Sequence, residues 1–174
     1  MLDPHTERAV EYLLPRLPVR PTVGIVLGSG LGGSTDRFPA LATIPYEEIP
    51  GFPVCSVEGH AGRLIVTDYS GLGAAILQGR THRYEGYSLD MVTRPVRVLA
   101  ALGVRTLIVT CAAGALGDAE PGSLMLIEDH LNLMGDNPLM GMDQTHGQRS
   151  PGFGGFIEMA GAYDPDLLAV AERV

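Results

Sequence analysis

Short apolar runs alternate with turns of small or polar residues along much of this chain. Runs that are rich in Val, Ile and Leu and are bounded by such turns predict buried strands. The run at 104–110 is the strongest of them because of its β-branched content. Residues 34–53 hold several Pro and Gly residues and predict an irregular connection or an edge strand. The expected strands are 22–27, 54–57, 63–69, 73–78, 104–110 and 124–127.

Helical signals lie between these runs. Ser88 is a favourable N-cap and Gly103 a favourable end for one helix, in which we expect Pro95 to cause a kink. Asp164 in front of Pro165 starts another helix, because Asp caps well and Pro is tolerated at the first helical position. The expected helices are 6–14, 88–102 and 165–174. This order of strands and helices predicts an α/β protein.

Composition narrows the class of protein. The chain has 174 residues, of which 45% are hydrophobic, so we expect one domain, 1–174, with a sizeable core. The 12 Lys and Arg against 20 Asp and Glu give a net charge of −8, which argues against nucleic acid as a partner. The sequence shows neither a long apolar run nor a signal peptide, so we expect no membrane span and a cytoplasmic location. Cys55 and Cys111 have no metal-type spacing and predict reduced thiols without a metal site.

The densest group of chemically active residues is the segment 78–87, which follows an apolar run. It contains arginine, histidine, glutamate and tyrosine, a mixture that suits a site holding an anion beside a sugar. Arg presents a fork of donors to phosphate oxygens, and His can add another donor. Glu can fix the His tautomer or accept from a hydroxyl, and Tyr offers a flat face with a polar tip. The alternative is a charged loop with incidental aromatic residues.

Three further loops follow apolar runs, at 28–33, 58–63 and 111–117. In an open α/β sheet, loops at the carboxyl ends of strands converge on the ligand crevice, and small residues let backbone N–H groups approach an anion. The first loop also fits the dinucleotide pattern G-x-G-x-x-G. However, Pro39 leaves little room for a helix, and Glu47 and Glu48 do not end a strand. We therefore interpret this loop as a phosphate cradle in which Ser29 donates its hydroxyl.

Taken together, these loops resemble those of the trimeric class of purine nucleoside phosphorylases. The resemblance covers nearly the whole chain, and its motifs are specific in combination. A related branch, the methylthioadenosine phosphorylases, shares the fold but lacks the Tyr-Glu-Gly-Tyr run at 84–87, so it is the second choice. The matching segments are 27–32, 59–63, 78–80 with His82, 84–87, 112–114, 127–132, 137–139 and 162–164.

The resemblance implies a mixed twisted sheet flanked by helices, and phosphorolysis as the reaction. Inorganic phosphate attacks C1′ of a purine ribonucleoside or deoxyribonucleoside, and the products are free purine and (deoxy)ribose 1-phosphate. Phosphate is a co-substrate, and no cofactor is implied. The partners are then the purine nucleoside, phosphate and, in a homotrimer, other copies of the chain. The apolar loop Met134–Phe156 is expected to serve that trimer or to close as a lid.

The same resemblance gives roles to individual residues. His82 and Glu85 are the expected catalytic residues, with Glu85 ordering the phosphate network. Tyr84 is expected against the ribose, and Phe156 in the ribose pocket of a neighbouring subunit. The residues expected to hold phosphate are Ser29, His60, Arg80, His82 and, through its backbone N–H, Ala112.

Two departures from the family pattern affect these expectations. The family usually has Asn where this chain has Cys111, just before Ala112. Family members also continue well beyond Val174, with the residues that read the purine, so we expect a chain truncated at its C-terminus that holds the phosphate half of a site. Such a chain is not expected to turn over nucleosides at a normal rate, and its base preference is not predicted. The alternative is a non-catalytic remnant or anion-binding module that keeps the phosphate loops.

Overall fold

The computed structural model describes residues 2–55, 61–140 and 157–173. The chain divides into two compact units, one of residues 2–113 and one that begins at Gly114, and each is described by itself. This division does not test the expectation of a single domain, 1–174, which stays a prediction. The helices are α1 (Pro4–Leu13), α2 (Leu89–Leu102) and α3 (Pro165–Ala171). The strands are β1 (Val23–Leu27), β2 (Ala40–Pro45), β3 (Arg63–Tyr69), β4 (Leu72–Gln78) and β5 (Thr106–Val109).

The first unit is built on a five-stranded sheet with the strand order β2-β3-β4-β1-β5. β1 is parallel to both of its neighbours, with Val23 opposite Ala74 of β4 and Thr106 of β5. β3 is antiparallel to β2 and to β4. The expected mixed sheet is thus confirmed, and β2 is the edge strand anticipated within 34–53. The carboxyl ends of β4, β1 and β5 lie side by side, and we call this side of the sheet the carboxyl edge.

Apolar side chains cover both faces of this sheet. On one face, alternate strand residues such as Leu64, Val66 and Leu77 pack with Leu13 of α1 and with residues of α2. Successive residues of a strand point to opposite faces, so Leu27, Ile65 and Ile76 form a second, smaller cluster. Burial of these alternating sets explains why the short apolar runs fold as strands.

Both helices of the first unit have a capping side chain; α2 begins after the predicted cap Ser88, whereas α1 begins at Pro4, two residues before its expected start. The Asp3 side chain caps α1 by accepting from the backbone N–H groups of His5 and Thr6, both at 3.1 Å. Partial burial opposes ionisation of Asp3, but these bonds and one from the Thr6 hydroxyl outweigh it, so the pKa of Asp3 is lowered. Ser88 caps α2 through the N–H of Met91, and Gly103 ends it with a φ of 111°. α2 continues through Pro95, and the kink expected there stays a prediction.

Two predicted strands are not confirmed. Residues 124–127 form no strand, and Leu124 and Met125 are 94% and 74% exposed. A strand needs a hydrogen-bonded neighbour as well as apolar residues, and no strand in the described part of the chain pairs with this segment. Val54 and Cys55 also lie outside any strand, while 56–57 are outside the described residues.

The unit that begins at Gly114 has less regular structure. Its helix α3 is capped by Asp164, which accepts from the backbone N–H groups of Asp166 at 2.9 Å and Leu167 at 3.1 Å, as predicted. The Tyr163 hydroxyl lies 3.0 Å from Nδ1 of His130. Residues 134–140 form neither helix nor strand, in keeping with the expected loop, whose remainder lies outside the described residues. Within the described part of the chain, no helix has the length and apolar character needed to cross a membrane.

Candidate active site

The carboxyl edge brings three of the four predicted loops together. Parallel strands end on the same side of a sheet, so the segments after β1, β4 and β5 are neighbours there. The segment before β3 also reaches this edge, because the N–H of Gly62 donates to the carbonyl of Gln78 at 3.0 Å. His60, which precedes it, lies outside the described residues, and so does Phe156.

Arg80 occupies the centre of this edge. It follows Gln78-Gly79 at the end of β4 and is partly buried. Its Nη1 donates to the carbonyl of Thr110 at 3.1 Å, and its Nε donates to Nε2 of His82 at 3.4 Å. The guanidinium therefore connects the end of β4 with the end of β5, and it places a permanent positive charge among the three loops.

His82 and Glu85 form a close pair beside Arg80. Oε1 of Glu85 accepts from the backbone N–H of His82 at 2.6 Å and lies 2.9 Å from its Nδ1. The Glu85 side chain is 4% exposed. A carboxylate only accepts, so Nδ1 carries the proton and a neutral His82 presents its Nε2 lone pair to Arg80. The ring donates to an anion from Nε2 only when it carries a second proton.

Tyr84 lies on the outer side of this pair. Its ring is stacked on that of His82, with a centroid distance of 4.7 Å and an interplanar angle of 15°. Tyr84 is 74% exposed, so much of its surface is accessible to a ligand. A flat apolar ring beside the imidazole can pack against a sugar.

Residues 28–33, which we call the glycine loop, follow β1. The N–H of Gly28 donates to Oγ1 of Thr110 at 2.9 Å, and Gly30 has a φ of 87°, which favours glycine. Ser29, between them, is exposed at the carboxyl edge. Cys111 and Ala112 follow Thr110 and are also exposed. The edge thus carries a hydroxyl and backbone groups near a fixed guanidinium.

Three residues support this edge although the sequence assigned no role to their side chains. Thr110 binds Gly28 and Arg80, and Gln78 reaches the glycine loop. The buried hydroxyl of Tyr46 donates to the carbonyl of Gly79 at 2.8 Å, and burial holds the pKa of Tyr46 well above its usual value. Gln78 begins the predicted segment 78–87 and Thr110 adjoins the loop 111–117, so the position of both in the sequence is the signal for their role. Tyr46 lies far from those loops in sequence and gave no such signal.

The two cysteines differ in their surroundings. Burial and, after it, the Glu85 carboxylate raise the pKa of Cys55 to about 11, whereas Cys111 is exposed. We predict that iodoacetamide at pH 8 alkylates Cys111 first, because only about one Cys55 in a thousand is then a thiolate. Mass spectrometry of the two peptides over time measures this difference. Equal rates at the two positions would contradict the burial of Cys55.

Within the described ranges, no group of three or more His, Cys, Asp or Glu side chains is placed to hold a metal ion. The groups that the described residues bring to the carboxyl edge are one guanidinium, an imidazole–carboxylate pair, a hydroxyl and backbone amides. Such a set suits a small oxyanion with a neighbouring polar organic group.

Comparison with known proteins identifies the family of this chain. Residues 22–174 match the sequence family described as "Phosphorylase superfamily". The chain belongs to this superfamily. It is 48% identical over 170 residues to purine nucleoside phosphorylase 1 of Geobacillus stearothermophilus, covering 97% of this chain and 60% of that protein. It is 46% identical over 166 residues to purine nucleoside phosphorylase of Rattus norvegicus, covering 92% of this chain and 55% of that protein.

Solved phosphorylase structures have the same fold. Isoform 2 of purine nucleoside phosphorylase from Schistosoma mansoni, in complex with cytosine and ribose-1-phosphate, superposes with a TM-score of 0.84 at 36% identity. The match covers 97% of this chain and 59% of that structure. A schistosoma purine nucleoside phosphorylase in complex with hypoxanthine has a TM-score of 0.82, at 37% identity and the same coverage. This chain thus spans between 55% and 60% of the length of these relatives.

Proposed function

We propose that this chain forms the phosphate- and ribose-binding part of a purine nucleoside phosphorylase. The observation that carries the proposal is the connected set Arg80–His82–Glu85 at the carboxyl edge, beside the glycine loop and Thr110. Its donors are suited to an oxyanion, and the relatives named above are purine nucleoside phosphorylases.

Phosphate binding is the first step of the proposed mechanism. Arg80 supplies charge and a fork of donors, Ser29 a hydroxyl, and Ala112 a backbone N–H. Glu85 holds the Nδ1 proton of His82, so a second proton on this ring makes Nε2 a further donor to phosphate. His60 completes this proposed set. The catalytic role of His82 and Glu85 is then to orient and retain the anion beside the sugar.

Transfer of the sugar from the purine to the bound phosphate is the second step of the proposed mechanism. A phosphate oxygen forms a bond to C1′ of the nucleoside while the bond from C1′ to the purine nitrogen breaks, and the purine leaves with the electron pair and takes a proton. The ribosyl group acquires oxocarbenium character, which the adjacent phosphate charge stabilises. Tyr84 is proposed to pack against the ribose, which helps to exclude the water that would otherwise compete.

The purine and ribose components of the substrate are proposed from the relatives. Schistosome structures that share this fold are in complex with ribose-1-phosphate or with hypoxanthine. We accordingly propose purine (deoxy)ribonucleosides as substrates, phosphate as co-substrate and no other cofactor. A cytoplasmic role in purine salvage and a homotrimer, with Phe156 entering a neighbouring ribose pocket, complete the proposal.

Two measurements test this function. Calorimetry with inorganic phosphate on this 174-residue chain is expected to show one saturable site. The natural protein, with whatever sequence follows Val174 in its reading frame, is then given inosine, with adenosine in parallel. We expect hypoxanthine release that requires phosphate, with ribose 1-phosphate as the second product. Release of free ribose at the same rate without phosphate would refute phosphorolysis.

A further inference from the structure

Gln78 lies at the end of β4, immediately before the Gly79-Arg80 pair of the candidate site. It is 7% exposed, although a glutamine side chain is strongly polar. A buried amide is costly unless its groups are hydrogen-bonded, and here they are. The Gln78 side chain therefore has a defined position inside the protein and is shielded from solvent.

The amide nitrogen of Gln78 is directed at the glycine loop. Nε2 donates to the carbonyl of Gly32 at 2.7 Å and lies 3.2 Å from Oγ1 of Thr35. The Thr35 hydroxyl itself donates to the Gly32 carbonyl at 2.8 Å. The carbonyl of Gly32 is thus held by two donors, which fixes the far end of the glycine loop relative to β4.

The amide oxygen of Gln78 has a partner as well. It accepts from Nε of Arg63 at the start of β3, where Arg63 and Gln78 are opposite each other in the sheet. This bond orients the amide, because the oxygen faces a cation and the nitrogen must then face the loop. At the other end of the glycine loop, Thr110 accepts from the N–H of Gly28. Ser29 lies between these two fixed points.

We propose that Gln78 is a positioning residue that holds the glycine loop, and with it Ser29, in place for the anion beside Arg80. This inference rests on the proposed function, because it assigns Gln78 to the same phosphate site. Gln78 does not touch the anion. It acts through the Gly32 carbonyl, so that the loop is already arranged before phosphate arrives and binding does not have to order it.

The test compares variants of the chain by phosphate calorimetry and thermal unfolding. Gln78→Met keeps the length of the side chain without its hydrogen bonds, and we expect phosphate to bind about tenfold more weakly. Thr67→Val is the matched control, because Thr67 is also a buried polar residue, lies on β3 and donates to the carbonyl of Pro39, away from the carboxyl edge. We expect it to lose stability but to retain the phosphate affinity of the wild type.

A second variant covers the case in which Gln78→Met fails to fold. Thr35→Val removes only the hydroxyl that shares the Gly32 carbonyl, and we expect about two- to threefold weaker phosphate binding. The inference is overturned if Thr35→Val binds phosphate with wild-type affinity and Gln78→Met either does the same or does not fold. If Arg80→Ala abolishes binding while the folded Gln78→Met variant binds as the wild type does, the proposed function stands and the role of Gln78 falls. If the wild type binds no phosphate, both fall.

Discussion

Replacing Arg80 with Ala is expected to weaken phosphate binding by about 1.5–3 kcal/mol, which is roughly a 10- to 150-fold rise in Kd. The guanidinium is the permanent cation at the centre of the carboxyl edge, held by the Thr110 carbonyl and close to His82. Its loss removes the charge-assisted donors from a protein whose net charge is already −8 in the wild type, which disfavours the anion further. Calorimetric titration with phosphate at constant ionic strength measures the change.

Arg83 provides the matched control for this substitution. It is three positions further along the chain, is exposed and donates to the carbonyl of Tyr87. Arg83→Ala changes the net charge by the same amount, so any general effect of charge appears in both variants. We expect its phosphate affinity to stay close to that of the wild type. Equal losses in the two variants would mean that overall charge, and not the position of Arg80, governs binding.

Gly28→Ala is expected to lower the free energy of unfolding by about 1–3 kcal/mol and to reduce phosphate affinity at least about tenfold. A Cβ at Gly28 would lie 2.7 Å from the carbonyl oxygen of Thr110 and 3.0 Å from Cα of Cys111. Both atoms belong to the backbone and cannot swing aside. The ends of β1 and β5 must therefore separate, which displaces the two loops that meet there.

Gly33→Ala is the control, because a Cβ at Gly33 meets no atom of the described residues within 4 Å. We expect its unfolding free energy to change by less than about 0.5 kcal/mol. Urea unfolding followed by circular dichroism, with phosphate calorimetry on the same samples, compares the two variants. A Gly28→Ala protein with unchanged stability and affinity would show that the loops after β1 and β5 are not tightly packed.

Local patterns predicted much of the fold because they depend on nearby residues. Short apolar runs bounded by turns predicted β1, β3 and β4, and β3 and β4 are buried almost continuously because both faces of the sheet are covered. Capping residues predicted where α2 and α3 begin, while α1 begins two residues before its expected start. The prediction of a strand at 124–127 is wrong because strand formation also depends on residues that are distant in the chain. Whether such a run becomes a strand depends on a partner elsewhere in the chain, and the sequence pattern carries no information about that partner.

The candidate site was predictable to a similar degree. Polar loops that follow parallel strands had to meet at one edge, so the proximity of Arg80 and His82 to the glycine loop could be anticipated. The contacts made by Tyr46 and Gln78 could not. The contacts of Gln78 depend on the register of β3 against β4. The contact of Tyr46 depends on a turn, distant in sequence, that directs its hydroxyl to the carbonyl of Gly79.

The central position of β1 between two strands that come later in the chain has a consequence for folding kinetics. The bond from Gly28 to Thr110 joins residues 82 positions apart, and the one from Gln78 to Gly32 joins residues 46 positions apart. Loops of this length close slowly compared with helices and hairpins, so α2 and the β3–β4 hairpin can form first. The anion site is then among the last parts of this unit to assemble. Recovery of phosphate binding during refolding would accordingly report the completed sheet, whereas helical circular dichroism would report an earlier stage.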